Sequence, residues 1–139
     1  MKKRSALTSL LLLMLLAFLV TTAWLRPLFS VQVVFDSMEP TLDEGDRVMV
    51  LQKEDWGRPL IRGDVIVINA PKKSEDLLIK RVIGLPGDNL WIEEGRLYLN
   101  NMVARERYIP TKAVYRYGPK KIRKGRLFVL GDNRNVSED

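Results

Sequence analysis

Hydrophobic positions fall along this chain in two regimes. From Ala6 to Leu25 (ALTSLLLLMLLAFLVTTAWL) they form one run of 20 residues without a charge. A helix of about 20 apolar residues crosses the ~30 Å hydrocarbon core of a bilayer, so the pattern predicts a membrane anchor. The preceding MKKR is basic, and positive charge beside a span stays on the cytoplasmic side. The alternative is a cleaved secretory signal, with KKR as its basic region and a small-residue site at Thr21-Thr22-Ala23. Continuation of the apolar run through Trp24 and Leu25 favours the anchor. The expected layout is a cytoplasmic segment 1–5, a transmembrane helix 6–25 and an extracytoplasmic domain 26–139.

Beyond Arg26-Pro27, where proline disfavours further helix, apolar residues come in short bursts between turn residues. Leu28–Phe35 (LFSVQVVF) is β-branched and aromatic and predicts a strand. Further strands are expected at Arg47–Gln52, Val65–Asn69 and Leu77–Ile83, the last closed by Gly84-Leu85-Pro86-Gly87-Asp88. Leu90–Ile92 and Leu97–Leu99 flank Glu93-Glu94-Gly95-Arg96, the pattern of a hairpin. Asn100-Asn101 starts another turn, and Leu127–Leu130 is a last apolar burst. No segment beyond the anchor has a useful helical period. The fold class predicted is mainly β: a small antiparallel sheet or barrel-like domain behind one N-terminal transmembrane helix.

Composition narrows the chemistry. At 139 residues the chain has the length of one domain. It contains no cysteine and no histidine. That excludes disulfides, thiol nucleophiles and the usual soft or imidazole metal sites, and no metal or cofactor is expected. It also excludes a Ser-His-Asp arrangement, because no imidazole is present to take the serine proton. The net charge of +6 is unevenly placed. Arg105, Arg107, Lys112, Arg116, Lys120, Lys121, Arg123, Lys124 and Arg126 face only Glu106 between Met102 and Arg126. Such a patch suits a nucleic acid, an anionic membrane surface or plain solvation. Outside the cytoplasm the membrane surface is the better charged partner, and no nucleic-acid partner is expected.

The stretch FDSMEPTLDEGDRVMV, Phe35 to Val50, places Ser37 in a proline-containing loop. A turn serine is the plain reading. A nucleophilic serine needs a base within hydrogen-bond reach, and here only lysine or a carboxylate is left. A lysine serves if its ammonium, ordinarily near pKa ~10.4, is pushed toward ~7–8 by an apolar setting. Lys2 and Lys3 precede the anchor, Lys53 precedes Glu54-Asp55, Lys72 and Lys73 follow Pro71, and the remainder belong to the basic cluster. Lys80 differs, lying within DLLIKRVIGLPGD. Strand alternation puts Leu78 and Val82 on its face, with Ile79, Arg81 and Ile83 on the other. The competing reading is an edge-strand lysine that blocks aggregation.

Taken together, Ser37-Met38-Glu39-Pro40-Thr41-Leu42, Gly45-Asp46, Gly63-Asp64-Val65, Lys80 to Asp88 (KRVIGLPGD) and Gly131-Asp132-Asn133-Arg134 with Ser137 and Asp139 resemble the bacterial type I signal peptidases. The blocks stand in the family's order and span nearly the whole chain. The resemblance implies a β-rich, membrane-bound serine endopeptidase on the outer face of the cytoplasmic membrane. Its substrates would be the signal peptides of exported preproteins, cut after small residues in Ala-X-Ala-like sites. By position, Ser37 is the implied nucleophile and Lys80 the implied general base. The Ser37 N–H is an implied oxyanion donor, and Ser137 an orienting partner of the lysine amine. Asp132, Arg134 and Asp139 are implied supports. A lysine at the base position resembles the bacterial form more than that of the endoplasmic reticulum.

Two departures from the family pattern carry expectations of their own. Phe35 stands where some members have a serine whose hydroxyl is a second oxyanion donor, so stabilisation here falls to the main chain. The family pattern also continues past Asp139 with at least one more strand, so the chain is expected to be incomplete at its C-terminal end. The alternatives are a specialised processing peptidase of the same family, acting on pilin or conjugative substrates, and an inactive membrane-anchored binding module.

Overall fold

The computed structural model describes residues 9–19, 29–53, 57–70 and 76–136. Within the apolar run, residues 9–19 are helical and their large side chains exposed. The rest of that run, the basic segment 1–5 and Arg26-Pro27 lie outside the described residues. Among the described residues no helix is long and apolar enough to cross a membrane.

The regular structure of the other described residues is antiparallel β apart from one short 3-10 turn, as the short apolar bursts predict. Strand β1 (Phe29–Gln32) pairs with β2 (Arg47–Val50), Phe29 opposite Val50 and Gln32 opposite Arg47. Strands β3 (Val65–Asn69), β4 (Leu77–Gly84) and β9 (Phe128–Leu130) form a second sheet in the order β3-β4-β9. Strands β5 (Asn89–Glu93), β6 (Arg96–Leu99), β7 (Met102–Val103) and β8 (Tyr117–Lys121) form the third, in the order β7-β6-β5-β8.

The core joins the two larger sheets. Ile83 of β4 and Leu130 of β9 meet Leu90, Ile92 and Leu97 of the β5–β6 hairpin, with Ala113 and Ile122 closing the cluster. Each of the leucine and isoleucine side chains taken from water contributes about 1.5–3 kcal/mol. Alternation works as expected here. Leu90 and Ile92 point inward while Trp91 points outward, where it stacks on its cross-strand partner Tyr98 with ring centroids 4.8 Å apart. Glu94 and Gly95 close the hairpin with φ of 51° and 72°, the mirror-image turn that matches strand twist. At Gly84 any Cβ would collide with the Ile122 side chain. Only glycine lets the sheets approach there, at the irregularity between Val82 and Gly84 in the β4–β9 pairing.

Three expectations need correction. The strand predicted over Leu28–Phe35 is paired only from Phe29 to Gln32, Leu28 lying outside the described residues. Val33 still exchanges backbone hydrogen bonds with Asp46 and Gly45, both at 2.8 Å, before the chain turns. Gly84, expected in a turn, ends β4 instead. Strands β7 and β8 were not foreseen. β8 reads YGPKK, a composition that strands normally avoid, but it lies at a sheet edge, where proline and lysine are tolerated.

Candidate active site

Ser37 sits in the middle of a short 3-10 turn, Asp36–Met38. Met38 anchors it, being 1% exposed. The backbone behind it folds back on itself: Glu39 N–H donates to Asp36 O at 3.1 Å, and Thr41 and Leu42 N–H both donate to Met38 O. Ser37 itself is half-buried. Phe35 precedes the turn in extended conformation and is 70% exposed, so its side chain offers the site no donor.

Lys80 lies on β4 opposite Ile66 of β3 and is only 2% exposed. β4 is the central strand of its sheet, flanked by β3 and β9, which sets aside the edge-lysine reading. Both faces of β4 are covered: Val82 and Ile83 are buried, and Leu78, Ile79 and Arg81 are half-buried. The face opposite Lys80 is therefore not a solvent face. The 3-10 turn carrying Ser37 packs against β4.

The last block closes over both. Asn133 N–H donates to Ser37 O at 3.0 Å, and its Nδ2 donates to Asp36 O at 3.3 Å. Asp132, fully buried, accepts from Arg81 Nε at 2.8 Å and Arg81 Nη2 at 2.5 Å. Thr41 Oγ1 donates to Asp132 Oδ2 at 2.5 Å, and Arg81 Nη1 donates to Gly63 O at 2.8 Å. The hydrogen bond with Asp132 raises the Arg81 pKa further, against the opposing effect of burial. Arg134, also buried, donates Nη1 to Glu106 Oε2 at 3.0 Å, Nη2 to Glu106 Oε1, and Nε to Gly131 O at 3.1 Å. Burial works against the Arg134 cation, and the Glu106 carboxylate more than offsets it. Tyr108 donates its hydroxyl to Glu106 Oε1 at 2.9 Å and lays its ring 4.2 Å from Arg81 Cζ. Burial first, then the Glu106 charge, pushes the Tyr108 hydroxyl well above its ordinary range.

The structure thus brings the turn of Ser37, the strand of Lys80, and the pair Asp132 and Arg134 into one region. Ser137 and Asp139 lie outside the described residues. Sequence reasoning missed Thr41, Arg81, Glu106 and Tyr108 as parts of this region. Thr41 and Arg81 stood inside the quoted blocks without a role, Glu106 was marked only as the single acid within the basic stretch from Met102 to Arg126, and Tyr108 carried no signal. Beside the site runs a groove of about 870 Å³, walled by β2, β3, Thr41 and Leu42. Leu77 and Ile79 of β4 line it together with their cross-strand neighbours Asn69 and Val67, and Ile66, the cross-strand partner of Lys80, lies in its wall.

With this geometry in place, comparison with known proteins is informative. The family described as signal peptidase, peptidase S26, matches residues 3–139. A probable signal peptidase I-2 of Synechocystis sp. is 41% identical over 108 residues, covering 74% of this chain and 50% of that protein. The signal peptidase I of Bacillus licheniformis is 34% identical over 113 residues, covering 74% of this chain and 60% of that one. The chloroplastic thylakoidal processing peptidase 1 of Arabidopsis thaliana is 36% identical over 113 residues, 74% of this chain and 33% of its own. The chain therefore spans between a third and three-fifths of the length of these curated relatives. Among solved structures, a signal peptidase I from Enterococcus faecalis V583 superimposes with a TM-score of 0.53 at 26% identity, covering 59% of this chain and 84% of the other. The chain is a member of the signal peptidase family, peptidase S26.

Proposed function

We propose that this protein is a membrane-bound serine endopeptidase that removes N-terminal signal peptides from exported preproteins after small residues, using Ser37 and Lys80. The observation that carries the reading is the sealing of Lys80 in a central strand against which the Ser37 turn packs. To take the Ser37 proton, Lys80 must offer a neutral amine within reach of the serine hydroxyl.

In the proposed reaction Lys80 Nζ takes the proton of Ser37 Oγ, which attacks the scissile carbonyl carbon. The Ser37 N–H holds the developing oxyanion, without help from the side chain of Phe35. Lys80 returns its proton to the leaving amine, and the signal peptide is left as an ester on Ser37. A water that gives its proton to Lys80 then hydrolyses the ester. Asp132 and Arg134 support the turn and strand from behind. Ser137, by orienting the Lys80 amine, and Asp139, as a further support, complete the assignment. Among the described residues β3 ends its sheet, which supports an extended substrate, because an unpaired strand edge binds a peptide through its backbone.

The same reading places residues 1–5 in the cytoplasm, 6–25 across the membrane and 26–139, a barrel-like β-domain, outside. Ser37 follows Leu25 by 12 residues, a reach of at most about 43 Å when fully extended. Phe29, Val34, Phe35 and Met49 are exposed apolar side chains around the serine turn, a surface suited to lipid. A serine-reactive penem-type probe, followed by peptide mass spectrometry, tests the nucleophile. The label is expected on the peptide containing Ser37, and its absence there, with another serine labelled instead, contradicts the assignment.

A further inference from the structure

We propose that residues 104–116 form a strap that positions the Ser37–Lys80 pair from behind, with Tyr108 as the positioning residue; this rests on the function proposed above. The strap is fastened at both ends. Ala104 N–H donates to Leu97 O at 2.8 Å where it begins. Near its far end Ala113 is buried in the core, and Asn135 accepts from Val114 N–H at 3.0 Å while donating to Lys112 O at 3.1 Å. Between these points Glu106 neutralises the buried Arg134 and accepts the Tyr108 hydroxyl.

What the strap holds is Arg81. The in-plane donors of this guanidinium go to Asp132, Thr41 and Gly63 O. The Tyr108 ring covers its face at 4.2 Å. Lateral bonds resist movement within the plane, and the ring resists tilting out of it. A cation over an aromatic face is attracted most when shielded from water, and the Arg81 side chain is 11% exposed. Arg81 adjoins Lys80 in β4, and its partner Asp132 adjoins Asn133, which holds Ser37 O. A tilt of Arg81 is therefore felt by base and nucleophile together. Neither Tyr108 nor Glu106 is among the reacting groups, so the effect is one of alignment, to which catalysis is steeply sensitive.

The test compares Tyr108→Leu and Tyr108→Phe with the parent, Ser37→Ala and Lys80→Ala, all as the full chain in detergent. Leucine keeps apolar bulk but loses the ring, whereas phenylalanine keeps the ring and loses only the hydroxyl. The expected result for Tyr108→Leu is a kcat lower by about 10–100-fold with KM little changed, and for Tyr108→Phe near-parent kcat. Amide hydrogen exchange reads the same alignment without catalysis. Exchange at Asn133 should quicken in Tyr108→Leu, while the amides of Ile92 and Leu97 keep parent protection. A Tyr108→Leu variant that melts lower yet keeps the parent kcat per folded molecule overturns the strap, as does a Tyr108→Phe that loses as much as leucine. If the parent does not cleave at all, the dyad reading fails separately. Hydrogen exchange then decides the strap alone, and unchanged exchange at Asn133 refutes it.

Discussion

Gly87-Asp88 and Gly131-Asp132 end two distant segments in the same dipeptide, and each aspartate grips an arginine with both carboxylate oxygens. The chemistry is alike and the setting is not. Asp88 takes Arg62, whose side chain is 44% exposed, and also accepts from Leu85 N–H at 2.7 Å and Asn100 Nδ2 at 2.7 Å. It braces a turn. Asp132 is sealed from solvent, its partner Arg81 is only 11% exposed, and the aspartate reaches the serine loop through Thr41. It joins β4, the serine loop and the last block around the proposed dyad. The lesson is that an ion pair acquires consequence from what it seals in. A partly exposed pair is screened and replaceable by water, whereas removing one member of a buried pair strands the other.

The comparison breaks most visibly at Asp132. Asp132→Asn leaves the Arg81 guanidinium buried without a carboxylate, a loss of about 3–5 kcal/mol. Thermal unfolding should show a melting temperature lower by roughly 10 °C or more, and preprotein cleavage should fall with it. A variant that melts and cleaves like the parent would refute the distinction between the two aspartates.

Asp88→Asn is the smaller test and has a pH signature. Burial of Asp88 opposes its ionisation, but the bonds from Arg62, Asn100 and the Leu85 N–H outweigh that and hold its carboxyl below the usual range. The unfolded chain, with a carboxyl near ~3.9, therefore takes up the proton first as pH falls. The stability from this carboxylate is complete above ~pH 5 and is lost as pH drops through the lower, folded value. Asp88→Asn should be about 1–2 kcal/mol less stable near neutrality, with the gap closing as pH falls through the folded carboxyl's lowered value and cleavage little affected. A gap that persists unchanged into acid would show that the carboxylate charge is not what braces the turn.

What the sequence disclosed follows from the range of the forces involved. The β5–β6 hairpin was legible because alternation and the Glu94-Gly95 turn act over a few residues. Lys80 was legible because leucine and valine at two-residue spacing flank it on its own face. Arg81 was not, because its partner Asp132 is 51 positions away and nothing local marks a guanidinium for burial. β8 was hidden for a related reason: Tyr117–Lys121 becomes a strand only because β5 offers it an edge. Tyr108 and Glu106 sat within a basic stretch readable as solvated, and only the fold shows Arg134 drawing Glu106 inward.

The central claim is that Ser37 and Lys80 work as one unit, and preprotein cleavage by the full chain as a function of pH tests it most directly. The parent rate should rise toward alkaline pH, the signature of a lysine general base, and Ser37→Ala and Lys80→Ala should each abolish cleavage at every pH. Substantial cleavage by either variant, or a profile set by a carboxylate near pH ~4–5, would contradict the account.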